Sequence, residues 1–462
     1  MELGQASRDL LEVYLEGFGA LAGDARTKVT FQETVKGIIG AGSLVCERVA
    51  AKSAILSAAK DGGQRVSRLA HGESTKRSRM KAEEITEVLR ERGLAHLAEA
   101  GGEEIWLVLD ESDLRKPYAE EMPDLMQVRA LDGKLVPGYR TMNVLGMTPG
   151  RRGVLYHRLF SSEEEGFGSE SQERQKALQT VSGGLAGLKA SWAVSWIMDR
   201  GFDDVAVWRT IWEQEERVVC RLKHRERVIC YQDREGSWRR GAIEQAAGEI
   251  RDLAVAETEL VVRRGRQRKA KRQRTPVQIG ACPIRLTYET NVRREGAGEQ
   301  REKELWLVRV ALPGTDQSPW LLVTDWPVTE AESAVRILQM YRQRWAVEDS
   351  FRFVKDTLGW EEVQLLSLTG IRTMLALGWV AAGFLYELGV TLEWEEVRLL
   401  ARLGGWVEKK GNKPGKTVLA RGLACILDML VTQSRLERYR AEYGALPPRI
   451  AALLRSSQSR EL

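Results

Sequence analysis

Cysteine is scarce: Cys46, Cys220, Cys230, Cys282 and Cys425 are the only five in 462 residues, and no two form a CxxC pair. An odd, scattered set excludes a disulfide framework and a cysteine-built zinc site, and points to a reducing compartment. Histidine is scarcer still, at four, which disfavours histidine-rich metal chemistry. No run of about 18 uninterrupted apolar residues occurs, so no membrane span is expected. The N-terminus, MELGQASRDLLEVYLEG, lacks a basic head followed by an apolar run, so a secretory signal is not expected either. The cytoplasm is the expected location. What the chain does have is 43% hydrophobic and 29% charged residues, the balance of a globular protein with a sizeable core. Its length allows two to four domains at about 100–200 residues each.

Positive charge is unevenly placed. Segment 263–274, RRGRQRKAKRQR, holds eight cations and no acid, more than the whole chain's net charge of +5. Such a run attracts phosphate backbones through counterion release; a solvated loop is the plainer alternative.

Residues 1–100 read as helical. Leu10, Leu11, Tyr14, Leu15 and Phe18 recur at helical spacing, and so do apolar positions from Phe31 to Val49. Ser43 is placed to cap the next short helix. Arg65, Arg68, Lys76, Arg77, Arg79 and Lys81 cluster nearby, as in a small helical DNA-reading module, although many small helical domains carry basic faces. From Glu104 the texture changes. Ile105–Leu109 is a continuous apolar run ending at Asp110, the pattern of a strand buried on both faces. Strands are expected at Tyr139–Met147, Gly153–Leu159, Trp192–Met198 and Arg217–Leu222, with helices around Gln172–Leu188 and Asp204–Gln214. This is a mixed α/β sheet. Segment 223–325 reads as an antiparallel β insertion, with strands near Thr258–Arg263, Val277–Tyr288, Leu305–Val310 and Trp320–Thr324. After Pro327 the chain turns helical, with a Gly/Lys-rich break at Lys409–Lys416.

Asp110 and Asp199 each follow an apolar strand, at the sheet edge where sites form in open α/β folds. Carboxylates there suit hard divalent cations, though an Asp after a strand also starts turns and caps helices. Asp113 and Asp203 lie beyond the first acid after each strand and are left out. Segment Met340–Lys355 reads as one helix. In it Tyr341, Arg344, Glu348 and Lys355 fall within a stripe about 60° wide at roughly 100° per residue. Met340 and Phe351 flank the stripe on one side and Trp345 on the other, which suggests partial burial rather than a solvated salt-bridged face.

Tyr341-x2-Arg344-x3-Glu348-x6-Lys355 resembles the Y-(2)-R-(3)-E-(6)-K signature of a group of bacterial insertion-sequence DDE transposases. Leu109-Asp110-Glu111-Ser112 and Met198-Asp199-Arg200-Gly201-Phe202-Asp203 resemble that group's first two acidic motifs. The resemblance implies a ribonuclease-H-like core interrupted by an antiparallel β insertion, with helical N- and C-terminal regions. The expected division is a DNA-end-binding region at 1–100, core at 101–222, insertion at 223–327, core with the signature helix at 328–390, and a helical region at 391–462 that is a dimerisation candidate. It implies an enzyme that binds terminal inverted repeats, cleaves DNA ends, in relatives through a hairpin, and joins them to target DNA. Asp110, Asp199 and Glu348 would hold two Mg²⁺ ions, with Mn²⁺ as a substitute, and Tyr341, Arg344 and Lys355 would contact DNA phosphates. The implied partners are double-stranded DNA, as transposon ends and target, and a second copy in a homodimeric synaptic complex, with no membrane. The setting would be bacterial cytoplasm, at the nucleoid.

Trp320, 28 residues before Glu348, resembles a base-stacking tryptophan of hairpin-forming relatives, and Trp345 lies within the signature. An indole can hold an unstacked base, but most of the chain's 14 tryptophans must be structural. Lys223, His224 and Arg225 are expected at phosphates or in a surface charge run. Two other readings stay open: a domesticated, non-catalytic DNA-binding protein, and a nuclease of the same fold that lacks strand transfer.

Overall fold

The computed structural model describes residues 2–58, 60–72, 80–130, 133–188, 191–262, 271–289, 300–314, 317–409 and 412–458. The chain opens with five helices: α1 (Glu2–Glu16), α2 (Ala25–Ala41), α3 (Cys46–Ala51), α4 (Gly62–His71) and α5 (Ala82–Ala98). Asp24 caps α2 by accepting from the Thr27 N–H at 2.8 Å, and Gly42 ends it in the left-handed region. Ser43 is not the cap of α3. Val45 holds that position, and Ser43 Oγ instead accepts from the Val45 N–H and donates to Glu362 Oε2.

The sheet follows: β1 (Glu104–Arg115), β2 (Met126–Arg129), β3 (Leu135–Thr148), β4 (Arg151–Phe160), α6 (Glu170–Gly184), β5 (Ala193–Met198), α7 (Val205–Trp212) and β6 (Arg217–Arg221). β4, β3 and β1 are antiparallel neighbours, and β5 and β6 then add parallel to β1. This is the strand arrangement expected of a ribonuclease-H-like core. β7 (Val228–Gln232), β8 (Trp238–Ala242), α8 (Ile243–Glu249), β9 (Asp252–Val262), β10 (Lys271–Glu289), β11 (Gln300–Ala311) and β12 (Trp320–Thr324) form the insertion. It does not stand apart. β12 pairs with β6, so core and insertion share one twelve-stranded sheet.

The remaining helices are α9 (Ala331–Arg342), α10 (Trp345–Asp356), α11 (Leu368–Thr391), α12 (Trp394–Leu403), α13 (Lys416–Tyr443) and α14 (Pro448–Gln458). Apolar side chains of the central strands face both ways. Val108, Ile197 and Val219 join a core with the N-terminal helices, α9, α10 and α11, while Leu107, Trp196 and Val218 join a second core with α6, α7 and α8. Burial on both faces explains the unbroken apolar runs of these strands. α11 is long and apolar enough to cross a membrane, but 83% of its most apolar window is buried within the protein, where it serves as the central core helix.

The expected single helix over Met340–Lys355 is two. After Tyr341 the Gln343 and Arg344 N–H groups reach back three residues instead of four, to Met340 and Tyr341 at 2.9 and 3.1 Å. This tighter turn separates α9 from α10.

Candidate active site

Strand register builds the site. In the parallel ladder Val108 stands opposite Ile197; carried two residues on, the same offset sets Asp110 beside Asp199. In the next ladder Met198 stands opposite Cys220, which sets Asp199 beside Arg221. Two acids and a guanidinium thus line the edge where the parallel pairing of the three strands ends. Asp110 itself is not at a strand end, contrary to the expectation from its sequence. β1 runs on to Arg115 because its antiparallel pairing with β3 continues to Gly138, whereas its pairing with β5 stops at Val108. The acid sits where the parallel neighbour leaves. Asp199 directly follows β5 and accepts from the Gly201 N–H at 2.7 Å, capping a short 3-10 turn.

The third acid arrives on α10. Glu348 is 47% exposed and accepts from Arg344 Nη2, while Nη1 of the same arginine lies 3.9 Å from Asp110 Oδ2. Arg344 Nε is buried with no hydrogen-bond partner among the described residues. Burial, then the Asp199 carboxylate, push the Asp110 carboxyl up to about 7; Arg344 and the Glu111 N–H oppose this, and Glu348 adds to it. Asp110 therefore senses both of the other acids, as expected where negative charge is concentrated.

Tyr341, at the end of α9, is 3% exposed and hydrogen-bonded to Arg221; burial raises its hydroxyl pKa, and Arg344 and Arg221 oppose the rise. Burial lowers the Arg221 pKa, and Arg200 and Arg344 push the same way. No carboxylate pairs with Arg221 among the described residues. Sequence reasoning missed this residue, although its place at the end of the strand after the second acid was a usable signal. Trp320 is 6% exposed; it packs edge-on to Tyr341 and Trp345 with ring centres 6.0 and 5.8 Å apart, and the Arg221 guanidinium lies 5.3 Å from its ring centre. In this arrangement its ring is packed rather than open to a base. Trp345 is half-buried.

Other expected residues are placed less centrally. Lys355 donates to the Asp113 carbonyl at 2.8 Å and lies 3.4 Å from Glu361, three residues along β1 from Asp110. Lys223 is exposed, His224 contacts Glu226, and Arg225 bonds Glu244 and the Pro319 carbonyl. The loop that carries them is organised by Asp203, which is buried and accepts from the Lys223 and His224 N–H groups and from Arg227. Asp203 is thus a structural acid. Residues 263–270 of the basic run lie outside the described residues.

Three carboxylates at one edge are the hard oxygen donors that Mg²⁺ and Mn²⁺ prefer. The proton affinity forced on Asp110 fits a place where a cation belongs. Among the described residues, however, no three His, Cys, Asp or Glu side chains form a ready ligand group; Arg344 is the cation between Asp110 and Glu348 here.

No curated protein matches the chain. Among solved structures it is similar to a piggyBac transposase, in a cryo-EM structure of its synaptic complex with hairpin DNA, at 11% identity and a TM-score of 0.39; the match covers 74% of this chain and 57% of that one. This chain thus spans little more than half of that protein's length. Residues 171–382, from α6 into α11, match the family model described as a transposase DDE domain. That segment holds Asp199, Arg221, Tyr341, Arg344 and Glu348, and Asp110 precedes it. Over residues 171–382 this chain is thus similar to a transposase DDE domain.

Proposed function

We propose that the protein is a DNA transposase that binds the inverted repeats of an insertion sequence, cleaves their ends and joins them to target DNA. The observation that carries this reading is the strand register that sets Asp110 beside Asp199, with Glu348 close enough to raise the Asp110 proton affinity. Asp110, Asp199 and Glu348 would hold two Mg²⁺ ions, which supply activation of the attacking oxygen and stabilisation of the leaving one. Arg344 offers a guanidinium with an unsatisfied Nε to a backbone phosphate. Arg221 offers a half-buried cation with no carboxylate partner among the described residues, so a phosphate would supply the missing charge. Tyr341 fixes Arg221 by its hydroxyl. Lys355 and the loop of Lys223, His224 and Arg225 are further phosphate contacts in this reading.

Second-strand cleavage through a hairpin belongs to the same proposal, with Trp320 and Trp345 as the rings that receive an unstacked base. Because Trp320 is covered by Arg221, that role requires the guanidinium to move towards DNA. A homodimer in which α12 and α13 take part, and a bacterial cytoplasmic setting, complete the proposal.

The test is a labelled duplex carrying the repeats that flank the gene, incubated with the full chain and Mg²⁺ and then with target DNA. The proposal expects a cut at the repeat boundary, a hairpin intermediate and joined product. Cutting without joining would make the protein a nuclease, and binding without cutting would make it a non-catalytic DNA-binding protein.

A further inference from the structure

A second cluster of charge lies along β1 from the acids. Arg115, at the end of β1, grips Glu361 with its fork: Nη2 lies 2.8 and 2.7 Å from the two carboxylate oxygens, and Nε is 3.2 Å from Oε1. Lys355 Nζ is 3.4 Å from the same Oε1 and donates to the Asp113 carbonyl. Lys116 Nζ donates to the carbonyls of Glu361 and Val363 at 3.2 and 2.5 Å. Two cations therefore contact one carboxylate, and a third holds the backbone that carries it. The Arg115, Lys355 and Glu361 side chains are only 22%, 20% and 31% exposed, so water compensates the surplus charge poorly.

Glu361 is held on a rigid mount. Trp360 before it is fully buried, stacked edge-on against Trp379 and next to His157. Glu362 after it bonds Ser43 and Arg48 of the N-terminal helices. Gly359 has φ +65°, and a Cβ there would lie 2.9 Å from the Ser43 Cα. The carboxylate thus has one address, fixed from both sides. Burial pushes the Lys116 ammonium down to about 8, against the pull of Glu361, as for a lysine used as a strut.

We propose that Glu361 is a positioning residue that holds Arg115 and Lys355 as a preformed cradle for one DNA backbone phosphate, with Lys116 fixing the turn that carries it. The proposal rests on the transposase reading above. Its chemistry is local: one carboxylate orients two cations without neutralising both, and a phosphodiester brings the missing charge in a geometry that suits arginine's fork.

The sign of one substitution tests it. Glu361→Gln adds one net positive charge. Were Glu361 merely a competing anion, DNA binding would tighten. As a positioning residue its loss frees Lys355 and Arg115, and binding weakens by roughly tenfold, the size of one charge-assisted hydrogen bond. The probe is a labelled duplex of the gene's flanking repeats, titrated by anisotropy without divalent cation, with the full chain. Glu361→Asp should recover part of the loss, and Glu361→Gln should cost nothing further in a background where Arg115→Gln and Lys355→Gln are combined. If Glu361→Gln does not fold, Arg115→Lys keeps the charge, removes the fork and must weaken binding in the same way. Unchanged or tighter binding by a folded variant overturns the proposal. A wild-type chain that binds no DNA overturns the transposase reading instead.

Discussion

Asp110 is the residue on which the electrostatics turn. Its carboxyl is pushed from the ordinary 3.8 to about 7, so in the absence of divalent cation the folded state holds a proton that the unfolded state releases near pH 4. Stability is therefore lost as pH rises from about 4 to 7, and the penalty is complete above 7. Asp110→Asn removes it. Without metal, this variant should match the wild type near pH 4 and exceed it above pH 7 by a few kcal/mol, at about 1.4 kcal/mol per unit. Urea titrations at the two pH values check this; equal stability at pH 8 would mean that burial and the neighbouring acids do not hold a proton on Asp110. Trp320 poses a different question. If it receives an unstacked base, Trp320→Ala leaves the first nick intact and slows hairpin formation by roughly 5- to 150-fold, for a platform worth about 1–3 kcal/mol. Its burial between Tyr341 and Trp345 supports a competing outcome, in which stability falls and both steps slow together. A labelled DNA end, followed for accumulation of nicked strand, separates the two.

At the scale of elements, two glycines lock the site to the N-terminal helices. Gly42 ends α2 with φ +56°, where a Cβ would lie 2.8 Å from the Thr357 carbonyl, and Gly359 faces Ser43 just beyond α10. Gly359→Ala should destabilise the fold by about 1–3 kcal/mol, since it meets both an unfavourable φ and a backbone clash; a wild-type melting curve would contradict this contact. The strands were legible because Ile105–Leu109 and Trp192–Met198 are unbroken apolar runs, and β12 matches its expected bounds at both ends. The break between α9 and α10 was not legible. Both halves have helical composition, and only the three-residue backbone bonds at Gln343 and Arg344 reveal the turn. Spacing placed Tyr341, Arg344 and Glu348 on one face through the wrong element, while Arg344 and Glu348 kept their relation because Arg344 is the N-cap of α10, one helical turn before Glu348. The end of the strand after the second acid was the one sequence signal for Arg221; its place beside Asp199 depends on register across two ladders, which no local pattern encodes. Glu361 stayed hidden because its partners, Arg115 and Lys116, are about 245 residues away in the chain.

At the scale of the whole molecule, one sheet joins core and insertion through β6 and β12, so the insertion's packing bears directly on the site through Trp320. The last four residues of the basic run, 271–274, open β10. Neutralising several of Arg263, Arg264, Arg266, Arg268, Lys269, Lys271, Arg272 and Arg274 should weaken DNA binding and flatten its salt dependence, by roughly 0.9 in slope for each phosphate no longer neutralised. An unchanged slope would mean that the run is a solvated loop. The central claim, that Asp110, Asp199 and Glu348 form one metal-dependent cleavage site, meets its most direct test in a single assay. Asp110→Ala, Asp199→Ala and Glu348→Ala are each compared with the wild type for binding and for Mg²⁺-dependent cleavage of the flanking-repeat duplex. The account predicts that all three variants bind the end and none cuts it; full cleavage by any one of them would contradict it.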